Sequence, residues 1–308
     1  MRRILFVALG GLVVLFGVGA IYVYTGVQSL EAIPVTADVW MLQGWGGNVA
    51  VLRTERGAVV VDTMNFRMQG DRIRETAEAL AGGPVQAVIN THYHADHTHG
   101  NPGFAPGTHV VATARTLEHL RAVDARYWQG EAAATLPNDT FEDVHELRFG
   151  DKTVRSHHLG RGHTDGDLVT VLVEDRVIVM GDLLFRHRYP RIDSEAGGSI
   201  REWIPTLDRA LELDFDQAIP GHGPLTDAAG IRAFQDFLRE LLQVGSDAAA
   251  AGLSLDETLA QAKLTTDEGF GTIGVPLVFR IDRDSAVRQS WEEATGADPS
   301  RESPGGTQ

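Results

Sequence analysis

The stretch "NTHYHADHTHGN", residues 90–101, gathers four histidines and one aspartate directly after the apolar run "VQAVI". That run is predicted to be a buried strand. Alternate side chains of an extended backbone point to the same side, so His92 and His94 should face one point. Asp96 and His97 follow where the chain should turn into a loop or helix start. The segment can therefore present ligands to two neighbouring points at a strand end, which is a rigid support for a metal site.

Three further segments place a possible ligand at a strand end beside glycine. His163 lies in "GRGHTDGD", Asp182 follows the apolar strand of "VIVMGDLLF", and His222 lies in "AIPGHGP". Each residue alone would more often be a hydrogen-bonded loop histidine or a helix-capping aspartate. Together with the first cluster they predict a metal site, because loops at strand ends are where α/β folds build active sites.

The chain contains no cysteine among its 308 residues. This excludes disulfides, a zinc–thiolate site, an iron–sulfur cluster and a cysteine nucleophile, so a metal must be held by His, Asp or Glu. The formal charge is -15, from 27 Lys and Arg against 42 Asp and Glu. Such a surface should repel nucleic acid, so we expect no nucleic-acid partner, although the charge itself does not identify a substrate. The expected partner is a small-molecule substrate, and the oligomeric state stays open.

Residues 1–26, "MRRILFVALGGLVVLFGVGAIYVYTG", combine two arginines with an uncharged apolar run. At about 1.5 Å per helical residue the run can cross a hydrocarbon core of about 30 Å. The arginines favour a membrane anchor with its N-terminus in the cytoplasm and the catalytic domain outside it, in the periplasm if the source is bacterial. The alternative is a signal peptide cleaved near Val18-Gly19-Ala20, which would give a secreted protein.

The rest of the chain alternates short strands with helices in two batches, which predicts two mixed sheets covered by helices. Helices are expected over residues 71–81, 115–123, 200–213, 227–243 and 255–263. The predicted organisation is a linker at 27–38, a catalytic domain at 39–250, a helical extension at 251–297 and a disordered tail at 298–308.

The motif set resembles that of the metallo-β-lactamase fold superfamily, and the similarity runs from about Val39 to His222. It comprises His-x-His-x-Asp-His at 92–97, then Gly-His-Thr, Gly-Asp and Gly-His. "GGNVAVL" and "VVVDT" also resemble the opening strands of that superfamily. The resemblance implies an α/β fold, a four-layer αββα sandwich of two mixed sheets flanked by helices.

Roles carried over by matching position assign seven ligands. His92, His94 and His163 would bind the first metal, and Asp96, His97 and His222 the second. Asp182 would bridge the two. The ligand types suit two Zn²⁺ ions, and iron or manganese remains possible because relatives with this ligand set vary in metal.

Two metals can share a water, lower its pKa and polarise a carbonyl oxygen, so the resemblance implies hydrolysis by a zinc-bound hydroxide. Asp96 and Asp182 would orient that water as catalytic residues. Asp62 would support a ligating imidazole, or would be a turn residue at the end of its strand.

Substrate contacts are expected around the loop "LLFRHRYPRID" after Asp182. The candidates are Phe185, Arg186, His187 and Tyr189 of this loop, and Trp45 in the separate segment "QGWGGN". The arginines of this loop could receive a carboxylate or a phosphate, or could simply be solvated.

The sequence departs from the best-known zinc β-lactamases, which have Cys at the position of Asp182 and a Lys shortly after it. An aspartate at this position resembles the thioesterase, lactonase and ribonuclease branches of the superfamily instead. We therefore expect an exported hydrolase that cleaves an ester, thioester, lactone or lactam. The alternatives are a non-catalytic metal-binding module and an iron-dependent oxidoreductase.

Overall fold

Two β-sheets lie face to face in the computed structural model, which describes residues 25–275 and 279–297. The first sheet has seven strands in chain order. They are β1 (Glu31–Pro34), β2 (Val39–Gln43), β3 (Val49–Thr54), β4 (Gly57–Val61), β5 (Val85–Ile89), β6 (His109–Thr113) and β7 (Asp139–Phe141). Strands β1 to β4 pair antiparallel, and β4 to β7 pair parallel.

The second sheet has five strands, and neighbours in the sheet are also consecutive along the chain. They are β8 (Val144–Phe149), β9 (Lys152–His157), β10 (Val169–Leu172), β11 (Val177–Val179) and β12 (Gln217–Ile219). Only the pair of β11 and β12 is parallel within this sheet. A separate hairpin joins β13 (Ile273–Val275) to β14 (Phe279–Ile281).

Helices cover the outer faces of both sheets. These covering helices are α1 (Arg67–Ala81), α3 (Ala114–Ala122), α4 (Ile200–Leu211), α5 (Ala228–Ala251), α6 (Leu255–Gln261) and α7 (Arg283–Thr295), whereas the one-turn helix α2 (Ala95–Thr98) lies after β5 and carries Asp96 and His97. Local signals set their ends: the Ser199 side chain caps α4 by accepting from the Glu202 amide, and Gly82 ends α1 in a left-handed conformation.

Alternation along the strands builds three hydrophobic layers. In β4, Val59 and Val61 pack between the two sheets, whereas Ala58 and Val60 pack under α1. A third layer lies between the second sheet and the C-terminal helices, around Trp203. The observed order is helix, sheet, sheet, helix, which confirms the predicted αββα sandwich.

Several strands end at the same edge of the sandwich. Asp62 follows β4, His92 comes three residues after the end of β5, and His222 comes three residues after the end of β12. Because β4 and β5 are parallel, as are β11 and β12, their carboxyl ends meet at one edge. The fold therefore brings distant motifs together there.

The structure corrects parts of the predicted organisation. The linker expected at 27–38 contains β1, an edge strand paired with β2; Pro34 at its end is tolerated because the outer side of an edge strand needs no hydrogen bond. Helix α5 continues to Ala251 rather than ending at 243. The extension at 251–297 is not wholly helical, since it holds the β13–β14 hairpin. The tail at 298–308 lies outside the described residues.

The expected membrane location is also corrected. Among residues 25–275 and 279–297, every helix is too short or too polar to cross a bilayer. The anchor or signal segment predicted at 1–26 lies outside the described residues apart from its last two positions. The prediction of a membrane-anchored protein is wrong on this finding.

Candidate metal centre

The seven side chains expected to bind metal converge in two adjacent groups. The first group holds His92, His94, His163 and Asp182, and the second holds Asp96, His97 and His222. In each group one donor atom from every member lies within 4.8 Å of the others. The fold thus brings together all seven residues, which span 131 positions of the chain from His92 to His222.

Asp182 lies between the two groups and turns one oxygen to each. Its Oδ2 atom is 3.5 Å from Nε2 of His163 and 3.9 Å from Nε2 of His92. Its Oδ1 atom is 3.1 Å from Nε2 of His97 and 3.4 Å from Nε2 of His222. A carboxylate in this position can contact two cations at once.

Hydrogen bonds fix the orientation of the three first-group imidazoles. The Nδ1 atom of His163 lies 2.7 Å from the carbonyl oxygen of Arg191, and Nδ1 of His92 lies 3.1 Å from the Thr91 hydroxyl. His94 is turned the other way, with Nε2 at 2.7 Å from Oδ2 of Asp193 and Nδ1 at 2.7 Å from Nε2 of His163. Each ring therefore donates a hydrogen bond from the nitrogen that faces away from the cluster. Its other nitrogen, which faces the cluster, is left to bind a metal.

Asp62 supports the second group. Its Oδ2 atom lies 2.7 Å from Nδ1 of His97, and its carboxylate also accepts from the amide and hydroxyl of Thr91. The carboxylate is buried, and the backbone of Asp62 has a φ of 67°. The sequence left two interpretations of Asp62 open: support of an imidazole, or a turn residue at the strand end. The observed geometry agrees with both.

Asp193 was missed by the sequence reasoning. It accepts from His94 and, at 2.5 Å, from the Tyr93 hydroxyl, and it is buried. Nothing in "YPRIDSEAGG" marks it, because it meets His94 across 99 positions of the chain. Its neighbour Arg191 contributes a carbonyl oxygen, which any residue carries, so no side-chain signal could have identified that contact.

Three buried polar atoms in the centre have no hydrogen-bond partner: Nε2 of His92, Nε2 of His97 and Oδ1 of Asp182. Unpaired buried polar atoms are rare and costly in folded proteins. Here they converge with four further donors of imidazole and carboxylate type. This donor set fits divalent zinc, so the residues present match the metal that the motifs imply.

The electrostatics of the centre also fit a cation. Burial lowers the pKa of His92 well below its usual value and that of His163 to about 3, so both rings are neutral donors. Burial opposes protonation of His222 as well, but the carboxylates of Asp182 and Asp96 raise its pKa to about 9. Burial also opposes protonation of His97, but the carboxylates of Asp182, Asp96 and Asp62 raise its pKa well above the usual value. The second group therefore attracts positive charge.

The loop that carries His222 is fixed by Asn48. Its amide Nδ2 donates to the carbonyl oxygens of Pro220 and Gly223, and its backbone N–H donates to Gly221. Gly221 lies so close to Asp182 that a Cβ atom there would come within 2.1 Å of Oδ1. The "GGN" and "GHG" motifs thus pack against one another as well as against His97 and Asp182.

The expected substrate contacts divide into two kinds. Phe185 is buried and stacks on His222, and Tyr189 is buried against Phe237 and Phe270. Both belong to the core, so a substrate contact is assigned to neither. Trp45 is 46% exposed, and Arg186 and His187 are partly exposed beside His222, to whose carbonyl oxygen the Arg186 amide donates.

Comparison with known proteins agrees with this geometry. The family model described as "Metallo-beta-lactamase superfamily" matches residues 42–222. The chain is 25% identical to the 2,4-dinitroanisole O-demethylase subunit alpha of Nocardioides sp. over 86% of its own length and 79% of that protein. It is 25% identical to a type 2 metallo-beta-lactamase of Bacillus sp., over 62% of this chain and 72% of the relative.

A solved metallo-beta-lactamase from Pontibacter korlensis shares the fold. It superposes with a TM-score of 0.59 and 20% sequence identity, over 68% of this chain and 99% of that one.

Proposed function

Since the chain belongs to the metallo-beta-lactamase superfamily, we propose that it is a metal-dependent hydrolase of a small-molecule ester, thioester, lactone or lactam. The observation that carries the proposal is the convergence of seven His and Asp side chains with three unpaired buried donor atoms. A protein that used these residues for structure alone would pair such atoms.

Each side chain has a role in the proposed centre. His92, His94 and His163 would hold one Zn²⁺ ion, Asp96, His97 and His222 a second, and Asp182 both. When bound, the two ions supply Lewis acidity that acidifies a water and polarises the bond to be cleaved. The same donors would also accept iron or manganese. We propose zinc, and the experiment below tests this choice.

Asp96 has a second task in this proposal. Its Oδ2 atom lies 3.2 Å from Nε2 of His222, and its side chain is 29% exposed, in contrast to the buried Asp182. An accessible carboxylate can accept a hydrogen bond from an entering water and orient it. Asp96 and Asp182 are therefore the proposed catalytic carboxylates.

Arg186 is the proposed contact for an anionic group of the substrate. In the described part of the chain its guanidinium contacts Nδ1 of His187 at 3.3 Å and forms no ion pair with a carboxylate, although the protein is strongly acidic. Its backbone lies next to His222. An arginine in this position can bind a carboxylate or phosphate through paired hydrogen bonds. Arg186→Met should raise KM for anionic substrates and leave KM for neutral ones unchanged.

The decisive experiment is a substrate panel on the purified protein with and without a chelator. The panel holds a nitrophenyl ester, a thioester, a lactone and a β-lactam. It also holds 2,4-dinitroanisole and a primary alkyl sulfate, because relatives named for these substrates match the chain. We expect hydrolysis that is lost with the chelator and restored by Zn²⁺, with about two metal ions per chain.

Variants separate the proposal from its alternatives. Asp182→Ala should abolish turnover, whereas His109→Gln, a histidine paired with Asp139 away from the centre, should not. Bound metal without turnover across the whole panel would favour a non-catalytic metal-binding module. Iron as the only metal in protein from its native host would favour an oxidoreductase.

A further inference from the structure

Residues 185–199, named here the support loop, connect the bridging Asp182 to helix α4 and carry two contacts to metal ligands. The carbonyl oxygen of Arg191 accepts from His163, and the carboxylate of Asp193 accepts from His94. The loop therefore decides where two imidazoles point, since a ligating ring is oriented by the partner of its other nitrogen. Contacts that hold the support loop in place therefore also hold the rings of His94 and His163 in place.

Helix α7 forms hydrogen bonds with the backbone of the support loop between these two contacts. The Gln289 side chain donates from Nε2 to the carbonyl oxygen of Ile192 at 2.8 Å and accepts from the Ile192 amide at 3.1 Å. Ile192 stands between Arg191 and Asp193. A paired amide bond of this kind fixes both the position and the rotation of the peptide units that carry the two contacts.

One turn later, Glu293 holds the end of the same loop. Its carboxylate accepts from the Ser199 hydroxyl at 2.7 Å, the Ile200 amide at 2.7 Å and the Arg201 amide at 3.2 Å. These are the cap and the first turn of α4, where amides have no partner within the helix. The acidic side chain also suits the positive end of the helix dipole.

The start of the support loop is held by the segment before the hairpin. The Gly271 amide donates to the His187 carbonyl oxygen at 2.9 Å, and the Tyr189 hydroxyl donates to Asp267 at 2.8 Å. His187 has a φ of 55°, a conformation that non-glycine residues seldom adopt without support from their surroundings. Both ends of the support loop thus depend on residues beyond 264.

We propose that residues 265–275 and 279–297 are a positioning element for the metal centre, acting through Gln289 and Glu293 on the loop that orients His94 and His163. These residues lie outside the part of the chain matched by the family, residues 42–222. The segment is packed as part of the sandwich, because Ala286 and Val287 of α7 are buried in the same hydrophobic layer as Trp203. The inference rests on the proposed function, since it assigns a consequence to metal binding.

The test uses the full chain and the variant Gln289→Met, which keeps side-chain length and removes both hydrogen bonds to Ile192. The matched control is Gln235→Met. Gln235 is also a helical glutamine, and its Nε2 atom makes two hydrogen bonds, to Ile204 and Asp208 of α4, away from the support loop. If Gln289→Met does not fold, Glu293→Gln provides a milder change in the same contact set.

Two measurements are made on each protein. Amide hydrogen exchange of the metal-free chain should be on the order of tenfold faster at residues 191–199 in Gln289→Met than in the wild type. Zinc affinity, measured by competition with a chromophoric chelator, should fall about tenfold. Gln235→Met should lose stability to urea but change neither the exchange of the support loop nor the zinc affinity.

Unchanged exchange and unchanged zinc affinity in folded Gln289→Met would overturn the inference and leave the proposed function intact. Equal losses of affinity in Gln289→Met and Gln235→Met would also overturn it, because the effect would then be general destabilisation. A wild-type chain that binds no zinc would overturn both this inference and the proposed function.

Discussion

The Nε2 atom of His94 lies 2.7 Å from the Oδ2 atom of Asp193, so this histidine presents Nδ1 to the metal centre. Its neighbour His92 bonds outward through Nδ1 and presents Nε2 instead. Two histidines separated by one residue therefore use opposite nitrogens. Asp193 is what holds the second ring in this orientation.

The first prediction concerns Asp193→Asn, which keeps the size of the side chain but removes its charge. We expect about tenfold weaker zinc binding, because an amide holds an imidazole N–H less strongly and must also satisfy Tyr93. Isothermal titration of the metal-free protein measures the change. Asp139→Asn is the control, since Asp139 accepts from His109 at 2.7 Å in the same way but away from the centre. Equal affinities in wild type and Asp193→Asn would contradict the prediction.

The second prediction compares two changes at Asp62. Asp62→Ala leaves the Thr91 amide, the Thr91 hydroxyl and the His97 Nδ1 without their buried acceptor. It also puts alanine at a φ of 67°. We expect a loss of at least about 2 kcal/mol in the free energy of unfolding, measured with urea.

Asp62→Asn should lose less, because asparagine tolerates positive φ and keeps one acceptor oxygen. Its zinc stoichiometry should still fall, since His97 loses its charged partner. If the alanine and asparagine variants were equally stable, the hydrogen bonds of Asp62 would not be what stabilises this strand end.

The third prediction concerns Gly47→Ala in the loop between β2 and β3. A Cβ atom at this position would lie 2.2 Å from Cε1 of the His97 ring, so the ring must move. His97 is buried and held by Asp62, so it cannot move without breaking that bond. We expect the variant to retain the first metal and lose the second, measured as metal per chain after dialysis. Gly26→Ala, where a Cβ meets no atom of the described residues within 4 Å, should keep both.

The seven residues that converge in the candidate centre could be predicted from the sequence because each is marked locally. A histidine or aspartate beside glycine at the end of an apolar strand is recognisable within about ten residues. The αββα class follows from the same strand pattern. Strand β7 was missed, because its three residues "DTF" are too few to show alternation and the strand is defined by its pairing with β6.

Features that depend on distant contacts were beyond the sequence. Helix α5 continues through Gly245, although this glycine interrupts the apolar pattern of the helix in the sequence. Glycine stands there because a side chain would strike the backbone of Ser290 in α7. That glycine is a packing residue, and only the docked helix reveals it. Asp193 and Gln289 are of the same kind: their partners are 99 and 97 positions away. Their residue types are common and carry no signal of their own.

The fourth prediction concerns Lys152, which joins the two sheets at the edge of the sandwich. Its Nζ atom lies 2.8 Å from Oδ2 of Asp38, before β2, and 2.7 Å from Oδ2 of Asp175, between β10 and β11. The lysine is mostly buried, so Lys152→Met leaves Asp175 without its cation and leaves Asp38 paired with Arg53 alone. We expect a loss of about 1–3 kcal/mol in the free energy of unfolding at pH 7.

The pH dependence of that loss follows from the shifted groups. The hydrogen bond from Lys152 lowers the pKa of Asp38 below its usual 3.8, so the stabilisation is present above that value. It disappears as pH falls through the lowered pKa and Asp38 takes up a proton. Burial alone would lower the pKa of Lys152, but Asp175 and Asp38 raise it above 10.5, so the stabilisation also disappears as pH rises past the raised pKa. Urea unfolding of wild type and Lys152→Met should therefore differ most between about pH 5 and 9 and converge towards both extremes. A difference that stayed constant down to pH 2 would show that the lysine acts through its packed methylene chain rather than through its charge.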